Sequence, residues 1–155
     1  MAIRFNVILD TLTRTTDLLD YNTAYTFMGW FQLATDINTN AILVNLSSSV
    51  VSFQNQERVL TDTDGVTLRA NVRTDGGNTA TNGSALTVGT WYHIAIVRAS
   101  ATDFQVYLNG VSDISITRDI TGRGAIAQME IAADGSTGLP ADMLCYALKA
   151  WTTNL

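Results

Sequence analysis

The sequence of 155 residues predicts an all-β protein built as an antiparallel β-sandwich. Apolar and polar residues alternate in several short segments, as in VTLRANVR at residues 66–73, and this period of two is typical of a strand with one buried face. Asn109-Gly110 separates two such segments, and both residues tolerate the positive φ of a type I′ hairpin turn. Threonine is frequent whereas Glu and Lys are rare, and this composition favours strands over helices.

Short strands are expected along the whole chain, separated by turns rich in Gly, Asn, Asp and Thr. The segment YTFMGWFQL at residues 25–33 has apolar residues at both odd and even positions, which predicts a strand buried on both faces. Residues 74–84 are predicted to form a polar loop, and residues 10–20 could hold one helical turn. We find no linker or repeat and predict a single domain over residues 1–155. The predicted strands are residues 3–7, 25–33, 41–46, 50–53, 66–73, 85–88, 91–98, 104–109, 111–118, 125–132 and 143–151.

Charge and hydropathy exclude several classes of partner. The net charge of -5 and a pI near 4.5 argue against nucleic-acid binding, which needs a basic surface to neutralise phosphates. No apolar run approaches the ~20 residues of a membrane helix, so no membrane partner is expected. The N-terminus MAIRFNVILD lacks a basic region followed by a long apolar stretch, so we predict synthesis in the cytoplasm without a signal peptide. Cys145 is the only cysteine and is expected to act as a small buried hydrophobe.

Two motifs resemble the laminin-G-like, concanavalin-A-like lectin and glucanase sandwich. The first is the strand WYHIA at residues 91–95, followed by the hairpin YLNG at residues 107–110. The second is LKAW at residues 148–151 with a final Leu155, although Tyr146-Ala147 replaces the acidic pair that often precedes this ending. The resemblance implies a concanavalin-A-like jelly roll. It does not determine the function, because this sandwich serves lectins, hydrolases, adhesion modules and structural proteins.

Catalytic residues are not predicted. Retaining glycoside hydrolysis needs two carboxylates about 5 Å apart, which sandwich glucanases supply from alternate positions of one strand. Glu57 and Glu130 stand far apart, and neither is followed by a second carboxylate two residues later. We therefore expect both to be solvent-exposed carboxylates on strand faces. His93, the only histidine, is expected to have a structural role, as the resembled family often carries a structural histidine there.

Calcium is an alternative that the family resemblance implies, because many members hold one in a loop at the rim of the sandwich. Calcium prefers several oxygen ligands, often from Asp, Asn and backbone carbonyls. The candidate metal ligands are Asp62 and Asp64 in DTDG and Asp134 in DGSTG. Each segment also fits an ordinary turn, because Asp caps turns and Gly allows a positive φ.

A glycan site needs an exposed aromatic ring beside side chains that bond hydroxyls. The candidate ligand-binding residues are Asp75, Asn78 and Asn82 of the predicted loop, with Tyr92 as the ring. Tyr21 and Tyr25 are further candidate rings. Tyr25 and Tyr92 lie in predicted strands, which also favours a place in the core.

These observations favour a non-catalytic binding or assembly module. Threonine-rich, lysine-poor sandwiches resemble parts of virus particles, so our first hypothesis is a virion-surface protein, either a phage capsid decoration (cement) protein or an adhesin. Its partner would be a capsid or other virion protein, and self-association would use an apolar patch or a free strand edge. The alternatives are a free glycan-binding lectin, with or without calcium, and a glycoside hydrolase.

Overall fold

The computed structural model describes residues 1–5, 12–14, 19–20, 24–35, 40–48, 55–121, 125–132 and 142–152. Every regular element in these ranges is a β-strand, so no helix there could cross a membrane. The strands are β1 (Ile3–Phe5), β2 (Leu12–Arg14), β3 (Leu19–Asp20), β4 (Tyr25–Leu33), β5 (Ile42–Ser47), β6 (Gln56–Thr61), β7 (Thr67–Thr74), β8 (Gly77–Ala85), β9 (Tyr92–Arg98), β10 (Asp103–Leu108), β11 (Val111–Thr117), β12 (Ala125–Ile126), β13 (Gln128–Ile131) and β14 (Met143–Trp151).

Two six-stranded antiparallel sheets form the sandwich. The first sheet has the order β1-β14-β4-β9-β10-β11 and the second the order β2-β13-β5-β6-β7-β8, while β12 and β3 form a separate pair. Burying the facing apolar surfaces between the sheets supplies the main favourable term in folding. This arrangement confirms the predicted all-β sandwich. The shared core includes Tyr25, Phe27, Phe31, Phe104, Leu43, Leu46, Leu68, Ile94, Ile96 and Ile114.

Alternation was predicted correctly for β7. In β7, Leu68, Ala70 and Val72 are fully buried, whereas Arg69 and Arg73 lie on the other face. The hairpin between β10 and β11 is also confirmed. Asn109 and Gly110 have φ values of 52° and 82°, the positive values that a type I′ turn requires.

Several predicted boundaries were wrong. Residues 74–84 are not a loop, because most of them belong to the edge strand β8, whose polar side chains suit an exposed edge and hide the strand pattern. Residues 85–88 are not a strand, since only Ala85 is extended and the chain then turns. Strand β6 was missed because it begins with the polar residues QER, and the strand predicted at residues 50–53 lies outside the described residues. In residues 10–20 the described parts are the strands β2 and β3 rather than a helical turn.

Strand β4 has one buried face and one half-buried face. Its bounds agree with the prediction, and Phe27, Phe31 and Leu33 point into the core. The other face was expected to be buried as well, but Met28 and Trp30 are only half-buried. The structure therefore leaves large apolar side chains on the outer face of the first sheet.

A buried ion pair joins the two sheets. Glu57 on β6 accepts hydrogen bonds from the guanidinium of Arg98 on β9 and from the hydroxyl of Tyr25 on β4. Both charged side chains are 0% exposed, and the Arg98 guanidinium lies 5.0 Å from the centroid of the Phe104 ring. The expectation that Glu57 is solvent-exposed was wrong, because a carboxylate can be buried when a paired cation and a hydroxyl replace its water.

Glu130 is buried too, at 4% exposure, and the same expectation was wrong for it. Its two carboxylate oxygens accept hydrogen bonds from Nδ2 of Asn45 at 2.8 Å and Nε2 of Gln128 at 2.6 Å. Glu130 pairs with Asn45 in the sheet, whereas Glu57 and Met129 both pair with Leu46. Neighbouring residues of a strand point to opposite faces, so Glu57 and Glu130 lie on opposite faces of the second sheet.

Replacing Glu57 by Gln is expected to lower the free energy of unfolding by about 3–5 kcal/mol, because the buried Arg98 cation then has no counter-charge. Urea unfolding monitored by tryptophan fluorescence measures this. The matched control is Arg69→Gln, which breaks the half-exposed pair between Arg69 and Asp62. That change is expected to cost much less, since water screens the pair. Equal losses in both variants would contradict a special role for the buried pair.

Candidate functional site

Four aromatic side chains meet on the outer face of the first sheet: Trp30 on β4, Trp91 immediately before β9, His93 near the start of β9, and Tyr146 on β14. We call this group the aromatic cluster. The strand register explains it, because Trp30 pairs with His93 on one side and with Tyr146 on the other. Directly opposed side chains on one face of a sheet stand about 5 Å apart, close enough for their rings to touch.

The rings of the aromatic cluster are in mutual contact. Trp30 and Tyr146 are parallel to within 6°, with centroids 6.0 Å apart. Trp91 meets Tyr146 edge to face at 4.9 Å, and His93 meets Trp30 in the same way at 5.4 Å. Tyr146 is 37% exposed and the other three are half-buried, so solvent reaches this apolar surface.

The hairpin signature of the sequence helps to position His93. The backbone N–H of His93 donates to Oδ1 of Asn109 at 2.9 Å, and its carbonyl accepts from the N–H of Asn109 at 2.8 Å. The Asn109-Gly110 turn therefore holds the start of β9, and with it one side of the aromatic cluster.

A β-bulge in β14 places the next residues of the site. The register opposite β4 shifts between Tyr146 and Lys149, and Ala147 has a φ of 54°, which non-glycine residues adopt uncommonly. Leu148 packs against the core beside Gly29, where an added Cβ would lie 2.5 Å from Cδ2 of Leu148. Glycine at position 29 thus leaves the space that Leu148 fills.

Polar groups border the aromatic cluster. Lys149 is exposed and pairs with Met28, the residue that precedes Trp30 by two on the same face. Gln32, two residues beyond Trp30, donates from Nε2 to the carbonyl of Gly89 at 2.6 Å. The cluster thus has an apolar centre and polar groups at its edges.

Of the residues predicted from the sequence, Asp62 and Asn82 are brought together. Oδ2 of Asp62 accepts from Nδ2 of Asn82 at 2.7 Å, and Oδ1 accepts from Arg69 at 2.9 Å. The backbone N–H of Thr63, the Asn82 amide and Arg69 hold the pKa of Asp62 below its ordinary value of 3.8. A cation bound to Asp62 would have to compete with these donors.

Asp64 caps its own turn. Its carboxylate accepts hydrogen bonds from the hydroxyl and N–H of Thr67 and from the N–H of Val66, and these lower its pKa below 3.8. Asp134 lies outside the described residues. Among the residues that the structure describes, no three His, Cys, Asp or Glu side chains are grouped closely enough to hold a metal ion. Calcium binding stays an untested prediction.

The predicted glycan-binding residues are spread over both sheets. Asp75 and Asn78 are exposed at the tip of the β7–β8 hairpin, and Asn82 lies further along β8 in the second sheet. Tyr92 lies in the first sheet, where its ring packs against the core and its hydroxyl accepts from the N–H of Thr87 at 2.9 Å. Tyr25 is fully buried, as its strand position predicted.

Cys145 is buried, as predicted, and its burial raises the pKa of the thiol to about 11. The thiol therefore stays protonated at neutral pH, which makes it a poor nucleophile.

A family model described as the concanavalin A-like lectin/glucanases superfamily, of the laminin G type, matches residues 10–137. The chain belongs to this superfamily. The family confirms the resemblance seen in the motifs around Trp91 and Asn109-Gly110. No curated protein sequence matches the chain significantly.

Solved structures share the fold at low sequence identity. A heptameric SAP-like pentraxin from Limulus polyphemus has a TM-score of 0.70 and 16% identity, over 94% of this chain and 70% of the pentraxin. A Trypanosoma rangeli sialidase has a TM-score of 0.70 and 11% identity, over 86% of this chain but only 21% of the sialidase. Botulinum neurotoxin type C has a TM-score of 0.63 and 10% identity, over 86% of this chain and 33% of the toxin chain. At these identities the likeness shows the fold alone.

Removing the Asp64 carboxylate is expected to lower the melting temperature in a pH-dependent way. Because the folded pKa of Asp64 is lowered, its contribution is fully present above the ordinary value of 3.8 and is lost as the pH falls through the lowered folded value. The gap between wild type and Asp64→Ala should therefore shrink in acid, which thermal unfolding at a series of pH values measures. A gap that stays constant or widens in acid would contradict this role, and Asp75→Ala serves as the exposed-turn control.

Proposed function

We propose that the chain is a non-catalytic binding module that holds a glycan against the aromatic cluster. The observation that carries the proposal is the set of touching rings on an outer sheet face that solvent reaches. Aromatic rings present a large apolar surface at low entropic cost, and Tyr and Trp add a polar group at the rim. The C–H faces of a pyranose match such a surface, while Lys149 and Gln32 stand where sugar hydroxyls could be bonded.

The arrangement of the two glutamates supports a role without catalysis. Glycoside hydrolysis needs two carboxylates on either side of one bond. Glu57 points into the core, where Arg98 and Tyr25 bind it, and Glu130 points to the opposite face of the second sheet. The two cannot reach a common substrate bond.

The similar proteins give this proposal a context. Cell entry of botulinum neurotoxin type C is described as dependent on interaction with two ganglioside molecules. The binding domain of botulinum neurotoxin DC is described in complex with rat synaptotagmin II. Both a glycan and a protein thus occur as partners of chains that contain this fold. This chain spans 33% of each of those chains, so neither ligand transfers to it directly.

We place the module at the surface of a virus particle, as a capsid decoration protein or an adhesin. The threonine-rich, lysine-poor composition supports this setting. For the decoration role, the aromatic cluster offers a second use. Trp and Tyr are enriched among the residues that carry the energy of protein interfaces, so a capsid protein or a second copy of the chain is the alternative occupant.

A glycan-array screen of the purified protein, run with calcium and with chelator, tests the glycan role. Replacing Tyr146 by Ala is expected to weaken binding of any hit at least tenfold, equal to about 1.4 kcal/mol, because the exposed ring is lost. The control is Tyr107→Ala on β10, three strands from Tyr146 in the same sheet, which should keep its affinity. Loss of binding in the presence of chelator would indicate a calcium site at the rim of the sandwich.

Two results would count against glycan binding at the aromatic cluster. One is a blank array under both conditions. The other is a hit that Tyr146→Ala leaves unchanged. If the wild-type protein also self-associates in analytical ultracentrifugation and Tyr146→Ala does not, the same surface serves assembly instead.

A further inference from the structure

We infer that the ligand of the aromatic cluster is an anionic saccharide, one that carries a carboxylate or sulfate group. This inference rests on the proposed function and adds the ligand's charge to it. The position of Lys149 and the lack of acidic residues in the strands β4, β9 and β14 carry it.

The strands that bear the aromatic cluster differ in charge from the rest of the protein. The chain holds 14 acidic and 9 basic residues. None of the acidic residues falls in Tyr25–Leu33, Tyr92–Arg98 or Met143–Trp151. Of the two full cations in these strands, Arg98 is buried against Glu57, and Lys149, the only lysine of the chain, is exposed. In an acidic protein this sheet face carries a solvent-accessible positive charge without a carboxylate from the same strands.

The bulge in β14 puts Lys149 on the face of the aromatic cluster. Side chains of a regular strand alternate, so residues three apart, such as Tyr146 and Lys149, would point to opposite faces. Here Tyr146 pairs with Trp30 and Lys149 with Met28, so three steps along β14 match two steps along β4. The extra residue restores Lys149 to the outer face. Bulges are over-represented beside functional sites, where they re-aim a side chain.

Lys149 lies within reach of a ligand on the rings. Two residues along a strand span ~6.7 Å and neighbouring strands are ~4.8 Å apart, so the Cα atoms of Lys149 and Trp30 are separated by roughly 8 Å. The long, flexible lysine side chain can bring its ammonium group to the edge of a sugar stacked on Trp30 or Tyr146.

Two described acidic residues flank the strands that bear the aromatic cluster. Asp142 precedes β14 and accepts from the hydroxyl of Thr35 at 3.1 Å, and Asp103 begins β10 and accepts from Nε2 of Gln105. Neither lies in the strands of the aromatic cluster. Lys149 can therefore bond an anionic group of the ligand, and charge-assisted hydrogen bonds are about twice as strong as neutral ones.

The test uses an array of matched glycan pairs, each an acidic glycan (uronate, sialylated or sulfated) and its neutral counterpart. Wild-type protein is expected to bind the acidic member at least tenfold more tightly, and added salt should reduce this preference by screening. Lys149→Gln should bring the two members to within about threefold of each other, and Lys149→Arg should keep the preference. Tyr146→Ala should weaken binding of both members alike.

The outcomes separate this inference from the proposed function. Hits that are mainly neutral, or acidic hits that Lys149→Gln leaves unchanged, would overturn the anionic ligand and keep the glycan-binding role. A blank array would overturn both. Because Lys149 is exposed, Lys149→Gln is expected to fold normally, and an unchanged melting temperature checks this.

Discussion

One buried interaction constrains how the two sheets are placed against each other, the link from Glu57 on β6 to Arg98 on β9 and Tyr25 on β4. Apolar contacts between sheets are non-directional and tolerate sliding, whereas a buried charge is tolerated only in one geometry. The link sets β6 of the second sheet against β4 and β9 of the first. Those two strands also carry Trp30 and His93 on their outer faces. The inner link and the outer cluster thus share the same pair of strands.

Strand β4 shows how one segment serves both sides of its sheet. Phe27, Phe31 and Leu33 fill the core, and Met28 and Trp30 use the alternate positions to form an apolar outer surface. An all-apolar strand normally indicates layers on both faces. Here, among the described residues, Trp30 contacts aromatic side chains of the neighbouring strands β9 and β14. Part of this outer surface stays open to solvent.

Local patterns were enough to predict the fold, because alternation and the Asn109-Gly110 turn act over a few residues. The aromatic cluster was missed. The sequence did indicate that Trp30 points to the opposite face of β4 from Phe27 and Phe31, because it is an odd number of residues from each of them. Which rings meet depends on strand order, and on a bulge at Ala147 that no glycine marks. Glu57 was misjudged for a similar reason, since its partner Arg98 lies 41 residues away.

The bulge of β14 has a further consequence for solubility. Among the described residues, only Met143–Cys145 of this strand have a partner on the side away from β4, where β1 covers them. Beyond them no described strand pairs with this side of β14, and an unpaired strand edge is the usual beginning of edge-to-edge aggregation. The irregular backbone at Ala147 and the charge of Lys149 interrupt that edge. A bulge and a charge are two of the features by which natural sheets disfavour such pairing.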